Sequence, residues 1–422
     1  MTTQVDTVVL AGRLFSGKGS SLQDSTAIRI SGDKVVDTLP IETQWLDQLD
    51  PSVRVIDLRQ HTVVPGLVDA HTHIETDAET DALVFDKSIA TRTLEAADNV
   101  RRALHRGVTT MRVLGTHDLI DIAVREAVAD GLCEGPRILA AGYLISMTGG
   151  HGMQLERHSP DLPVPTHEIF KGVADGPDAL RQLVRFEIGH GVDVIKLSVT
   201  GGTLSKSSTV GAQQYDEDEI RVAVREAEKH GLRVAAHAHG TAGIKAALRA
   251  GVSSIEHGSY LDDESIQLMK SGNVALSPTL YNLETDLLQN ATRLRLQPYV
   301  LEKTRQLVQS LRSSFRSAMD AGVLIAGGSD STYVADRFGL AEELEAMTRD
   351  GMSARDAVLA GTVSSAEAIG WSDRVGKLLP GFYADLVAFR GNPLEDITCL
   401  QDPHVVMKGG CVAVDNRVNA SA

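Results

Sequence analysis

Cysteine is scarce in this sequence: Cys133, Cys399 and Cys411 are the full complement among 422 residues. An odd number, at no metal-ligand spacing, excludes a disulfide framework and fits a reducing compartment. Basic charge is short as well. The 41 Lys and Arg residues face 56 Asp and Glu, for a formal net charge of −15, and no basic stripe is present to bind a nucleic-acid backbone. No apolar run approaches the roughly 20 residues that span a bilayer. The opening Met1-Thr2-Thr3-Gln4-Val5-Asp6 has neither the basic nor the apolar stretch of a secretion leader. These absences predict a soluble cytoplasmic protein whose partner is a small molecule, with no nucleic acid and no membrane.

What is present is ordinary in bulk and specific in pattern. Hydrophobic residues make up 42% and charged residues 23%, as in a globular enzyme. Short β-branched runs alternate with amphipathic stretches over residues 63–370. The strand candidates are Val63–Ala70, Val108–Leu114, Arg137–Ile145, Val192–Val199, Arg233–His239, Ser253–His257, Val274–Thr279 and Val323–Gly328. Helices are expected between them, for example over Pro177–Ile188, Asp216–Lys229, Ala242–Arg249 and Asp262–Lys270. His190-Gly191 and His230-Gly231 supply helix stops, a glycine that tolerates positive φ behind an imidazole at the negative dipole end. Eight strand–helix units point to an α/β fold, a (β/α)₈ TIM barrel, although periodicity alone also allows an open doubly wound sheet. The ends read differently. Residues 1–62 and 371–422 carry short strand-like runs with turn signals, and we expect them to pair into one small β-sandwich module into which the barrel is inserted.

The chemistry-bearing residues sit at the ends of these strands. In Asp69-Ala70-His71-Thr72-His73 the two histidines lie two apart, so both project from one strand face, and converging imidazoles suit Zn²⁺ or a similar ion. In Val194-Ile195-Lys196-Leu197-Ser198-Val199 alternation separates Val194, Lys196 and Ser198 from Ile195, Leu197 and Val199. If the apolar set packs on helices, Lys196 is inside the barrel, where a lone ammonium must be paired or neutral. Either a carboxylate partner or carboxylation by CO₂ to a metal-bridging carbamate meets that need. His237 and His239 share the next strand's face, His257 follows in Ile255-Glu256-His257-Gly258, and Asp330 ends the eighth strand. An aspartate there can take a proton from a metal-activated water and return it to a leaving amine. With aromatics at only 4%, Tyr143 and Tyr281 are candidate pocket walls.

Together these residues resemble the amidohydrolase superfamily, in its binuclear-metal branch. The resemblance extends to Gly376-Lys377-Leu378-Leu379-Pro380-Gly381, which is similar to the family's C-terminal β-module signature. Thr148-Gly149-Gly150-His151-Gly152, Ala236-His237-Ala238-His239-Gly240 and Ile255-Glu256-His257-Gly258 are similar to the group of Xaa-Pro dipeptidases, carboxypeptidase-like enzymes and ochratoxin-hydrolysing amidases.

The resemblance implies cleavage of an amide between an acyl group and a C-terminal amino acid, as in a dipeptide, an N-acyl amino acid or ochratoxin A. It implies two divalent metal ions, Zn²⁺ foremost: His71, His73 and Asp330 on one, His237 and His257 on the other, and carboxylated Lys196 bridging them. His237 is preferred to His239 on family spacing alone. His239 and His151 would then meet the substrate carbonyl or carboxylate, with Asp330 and His239 as the catalytic groups. A homo-oligomer, up to an octamer, is implied too.

Two features depart from the pattern. The family's frequent Arg-Asp-Leu-Gly reads Arg112-Val113-Leu114-Gly115 here, and the loop Thr200–Lys206 has a polar tip. A mononuclear deaminase or imidazolone-type ring hydrolase is the rival enzyme reading; it calls for a glutamate three residues after the strand-five histidine, where this chain has Gly240. A non-catalytic scaffold is the rival of another class, and the intact ligand set argues against it.

Overall fold

A computed structural model describes residues 5–19, 21–42, 46, 48–75, 87–153, 171–206, 208–289, 292, 296–331 and 339–417; Met1–Gln4 of the leader reading lie outside them. The chain opens with β1 (Thr7–Leu14), β2 (Gln23–Ser31), β3 (Lys34–Pro40) and β4 (Arg54–Pro65). β1 pairs antiparallel with β2 and parallel with β4, and β2 pairs antiparallel with β3.

Parallel strands alternating with helices follow. β5 (Leu67–Thr72), β6 (Val108–Val113) and β7 (Arg137–Ala140) form one parallel sheet. β8 (Leu144–Ile145), β9 (Val194–Ser198), β10 (Arg233–Ala238), β11 (Ser254–His257) and β12 (Ala275–Ser277) form a second. The expected strand Arg137–Ile145 is thus interrupted at residues 141–143, where Gly142 has a φ of 71°, and Asp193 N donates to Ala140 O (2.7 Å) across the break. Residues 323–328 form only one bridge, Ile325 with Leu276. Their backbone nevertheless bonds both sheets: Ala326 N donates to Leu276 O (2.9 Å) and Ala70 N to Gly327 O (2.8 Å).

The helices between strands are set by local chemistry. In Glu217–Glu228 the N-cap Asp216 accepts from Glu219 N while the Glu219 side chain accepts from Asp216 N, a reciprocal capping box. Its buried Ile220, Ala223, Val224 and Ala227 fall on one face. That face meets Ile195, Leu197 and Val199 of the β9 segment in the main core, whereas Val194 joins Leu114, Ala141 and Ala235 in a separate small cluster. The two faces of β9 divide as alternation predicts, and each buried aliphatic side chain contributes about 1.5–3 kcal/mol. No helix among the described residues is long and apolar enough to cross a membrane.

The chain returns to its first sheet through β13 (Leu386–Phe389), β14 (Val405–Lys408) and β15 (Cys411–Asp415), giving the seven-stranded order β15-β14-β13-β4-β1-β2-β3. Both chain ends therefore share one sheet. The seam is antiparallel, Val63 opposite Ala388 and Val64 opposite Val387. Val63–Pro65 consequently belong to this sheet, and the expected strand Val63–Ala70 is really two strands divided at Gly66. β15 follows the turn at Gly409-Gly410.

Candidate metal centre and active site

Every residue singled out as a ligand arrives at the same end of the parallel strands. His71 is the penultimate residue of β5 and His73 follows it, their ring centroids 5.5 Å apart. Asp330 is brought to them by backbone bonding, since its N–H donates to His71 O (2.7 Å). Its Oδ1 lies 3.4 Å from His71 Nε2 and 3.5 Å from His73 Nε2. On the other side His237, His239 and His257 cluster, with centroids 4.6 to 4.8 Å apart. Each trio offers ligand atoms within 4.8 Å of one another. Asp330 Oδ2 also approaches His257 Nδ1, at 3.8 Å.

His257 enters the site by a twist of its backbone. On β11, alternation sets His257 on the face of Ile255, which packs in the main core, and Ser254 and Glu256 on the other. A φ of 72° at His257 returns its ring to the side of His71, 5.3 Å away between centroids. Asp330 is likewise left-handed, with φ 46°. Such strain in non-glycine residues is concentrated at functional sites.

The outward nitrogens of several rings are occupied. His73 Nδ1 meets Gly115 O (3.0 Å), His239 Nδ1 meets Ser259 Oγ (2.8 Å) and His257 Nδ1 meets Thr279 Oγ1 (2.7 Å). Burial, followed by the charge of Lys196, draws His71 and His239 down to about 3 and His73 to about 4. Burial and neighbouring imidazoles hold His237 and His257 well below the ordinary value. All five rings are neutral near pH 7, the form that ligates metal.

Lys196 is 2% exposed, and its Nζ has no hydrogen-bond partner. Burial lowers it to about 8 against the pull of Glu256 and Asp330. Its charge lowers the pKa of the histidines of both trios. His237 Nε2 is also buried without a partner. Orphaned buried polar atoms are costly, and two of them amid neutral imidazoles and a carboxylate fit a centre that takes divalent metal. Distance treats His237 and His239 alike, but the orphaned Nε2 favours His237 as the ligand.

The remaining sequence candidates divide. His151 reaches the cluster, its ring stacked on His237 and its Nδ1 3.3 Å from Ser205 Oγ. The Tyr143 ring faces Phe186 on the helix Gly176–Gly189. Tyr281 is buried in the main core, with Gly339 against its ring. Two participants were not identified as such in the sequence. Glu256 and Arg112 are fully buried and paired at 2.8 Å, with Glu256 Oε2 2.9 Å from His71 Nδ1. Burial would raise Glu256, yet the Arg112 guanidinium and then His71 hold it well below the usual carboxylate range.

Comparison with known proteins agrees with this geometry. The amidohydrolase family model matches residues 62–413. The chain belongs to the amidohydrolase family. It is similar to ochratoxinase of Aspergillus niger, with 31% identity over 96% of this chain and 86% of that protein. Among solved structures it is similar to a Xaa-Pro dipeptidase with bound methionine in the active site, at 32% identity and TM-score 0.87, covering 96% of this chain and 99% of that one. A prolidase complexed with N-methylphosphonate-L-proline matches at 29% identity and TM-score 0.87, covering 96% and 98%. As a member of the amidohydrolase family the chain is an enzyme of the hydrolase class. Gly240 counts further against the single-metal rival, because a Cβ there would fall 2.0 Å from Gly211 O, leaving no room for glutamate in this packing.

Proposed function

We propose that the chain is a binuclear metal hydrolase that cleaves the amide between an acyl group and a C-terminal amino acid with a free carboxylate. A dipeptide, an N-acyl amino acid and ochratoxin A are all of this class. The observation that carries the reading is the pair of ligand trios, taken together with a buried Lys196 whose Nζ has no hydrogen-bond partner. His71, His73 and Asp330 would hold one ion, His237 and His257 the other, with Lys196 carboxylated at Nζ serving both; Zn²⁺ suits this nitrogen and oxygen set. When bound, such ions supply Lewis acidity, lowering the pKa of water and polarising a carbonyl.

The protein's own groups do the rest. Asp330 accepts the proton of the attacking water on its carboxylate and passes it to the leaving nitrogen. In the tautomer that takes Ser259 Oγ–H at Nδ1, His239 keeps a proton on Nε2 and donates it in a hydrogen bond to the carbonyl oxygen as charge develops there. His151 faces the substrate carboxylate. The name of the Xaa-Pro dipeptidase and that of ochratoxinase support a C-terminal amino acid as the leaving group.

The fold belongs to the same reading. A closed (β/α)₈ barrel is supported by the 323–328 backbone, which bonds both parallel sheets. A sandwich-like end module is supported by one apolar cluster that joins Val9, Ile28 and Ile56 to Leu386, Val405 and Met407. We place the barrel at residues 67–370 between module halves 1–65 and 371–422, its start moved from the expected 63 because Val63–Pro65 pair with β13, and the family resemblance supports assembly as a homo-oligomer, up to an octamer.

The test measures metal per chain alongside hydrolysis of N-acyl amino acids, dipeptides and ochratoxin A. Each substrate is compared with its C-terminal methylamide. We expect close to two ions per chain and a marked preference for the free acid. Full activity at one ion per chain rejects the binuclear centre, and equal rates on acid and methylamide reject carboxylate recognition.

A further inference from the structure

The reaction above makes no use of Arg112, Ser254 or Glu256, yet all three are buried against its centre. Arg112 spans the interior from β6. Its Nε donates to Ala70 O (2.6 Å), its Nη1 to Ser254 Oγ (3.1 Å) and its Nη2 to Glu256 Oε1 (2.8 Å). Ser254 Oγ donates to that same Oε1 at 2.5 Å. Glu256 Oε2 is left facing His71 Nδ1, 2.9 Å away as a close ion-pair contact, and neither of these two atoms has a hydrogen-bond partner among the described residues.

Stability alone does not account for this arrangement. A buried ion pair is often no more stabilising than apolar side chains of the same volume, and barrel interiors are usually filled by branched aliphatic residues. Here a guanidinium and a hydroxyl are committed to one carboxylate oxygen, and the other oxygen is thereby aimed at an imidazole. Arg112 also grips the carbonyl of Ala70, the residue before that imidazole. The network therefore fixes His71 by its backbone and by its ring.

We propose that Arg112 and Glu256 are positioning residues for one of the two metals: Glu256, clamped by Arg112, accepts a hydrogen bond from Nδ1–H of His71 and so aims the Nε2 lone pair at the point shared with His73 and Asp330. The inference rests on the reading of those three residues as ligands. A carboxylate behind a ligating imidazole fixes its tautomer and orientation, and losing one typically costs about 10–100-fold in metal affinity. The second trio, His237, His239 and His257, has hydroxyl partners on His239 and His257 and no side-chain hydrogen bond or ion pair to Glu256 among those described, so its affinity is expected to stay.

The test compares wild type with Glu256→Gln, which keeps the shape and removes the charge. Both are loaded with Co²⁺, challenged with graded chelator, and followed by metal content and by the visible absorption of the bound ion. Wild type should hold two ions. The variant should release one of them at about 10–100-fold lower chelator and keep the other at wild-type resistance. If Glu256→Gln fails to fold because the buried Arg112 charge is left uncompensated, the double variant Arg112→Met/Glu256→Gln removes both charges and should show the same selective release. A folded variant of either kind that retains both ions at wild-type resistance overturns the proposal and leaves the metal centre standing. A wild type that binds no ion refutes the ligand assignment itself, and this inference with it.

Discussion

The His151 ring lies on the His237 ring, with centroids 4.3 Å apart and planes 21° from parallel. One ring comes from the segment after β8 and the other from β10, so a proposed substrate group rests directly on a proposed ligand. Gly202 backs His151 so closely that a Cβ there would fall 2.5 Å from its Cε1. Gly202→Ala should therefore displace His151 without replacing any ligand. We expect unchanged metal content and a KM for free-acid substrates raised about tenfold, equivalent to ~1.4 kcal/mol, with kcat much less affected. Steady-state kinetics on acid and methylamide substrates check this, and an unchanged KM on the acid would separate His151 from carboxylate binding.

Lys196 gives the second prediction. Its Nζ is buried without a hydrogen-bond partner. Lys196→Ala should lose metal and lower turnover by a factor on the order of 10³ or more, the scale of removing metal-assisted water activation. Elemental analysis and single-substrate rates read both effects. Wild-type values for the alanine variant would rule out a bridging role.

Much of the site was legible because alternation carries chemical information. The split of Lys196 from Ile195 and Leu197 is a period-two pattern, and it survives folding because one face packs on helices. Glu256 was obscured for the same reason. Alternation sets it opposite His257, and only the left-handed backbone at His257 brings both to the centre. The division of β4 from β5 was obscured differently. Val63-Val64-Pro65-Gly66-Leu67-Val68 is apolar throughout, and a strand buried on both faces gives no alternation to mark where one sheet ends. The break falls at Gly66, where a Cβ would collide with Thr109 Oγ1 at 2.1 Å.

Glu187 yields a prediction about stability. It is fully buried behind Gly142, and its Oε2 has no hydrogen-bond partner. Burial raises its pKa from 4.5 to about 8. The folded protein therefore keeps a proton there that the unfolded chain has already lost above pH 4.5 or so, and stability falls as pH rises toward 8. Glu187→Gln removes that dependence. It should match wild type near pH 4.5 and exceed it at pH 8.5 by an amount on the order of a few kcal/mol. Urea unfolding at both pH values measures the difference, and parallel curves for the two proteins would show that Glu187 is already ionised in the fold.

Asp330 supplies the last prediction, and its backbone makes the experiment clean. Asparagine tolerates the left-handed region as well as aspartate does, so the φ of 46° at this position does not penalise Asp330→Asn. The N–H bond to His71 O and the bond that Asn282 Nδ2 donates to the carbonyl of residue 330 are backbone features that survive the change. An amide oxygen can still approach His71 and His73, but it is a poor proton acceptor. The variant should therefore fold with a wild-type melting temperature while kcat falls by about 10²–10⁴-fold, the usual contribution of a positioned acid–base group. Weakened metal binding is the competing cause of such a loss, so metal content is measured in the same preparation and the rate is expressed per loaded chain. A loaded Asp330→Asn enzyme within tenfold of wild type would remove Asp330 from proton transfer and leave it a ligand alone.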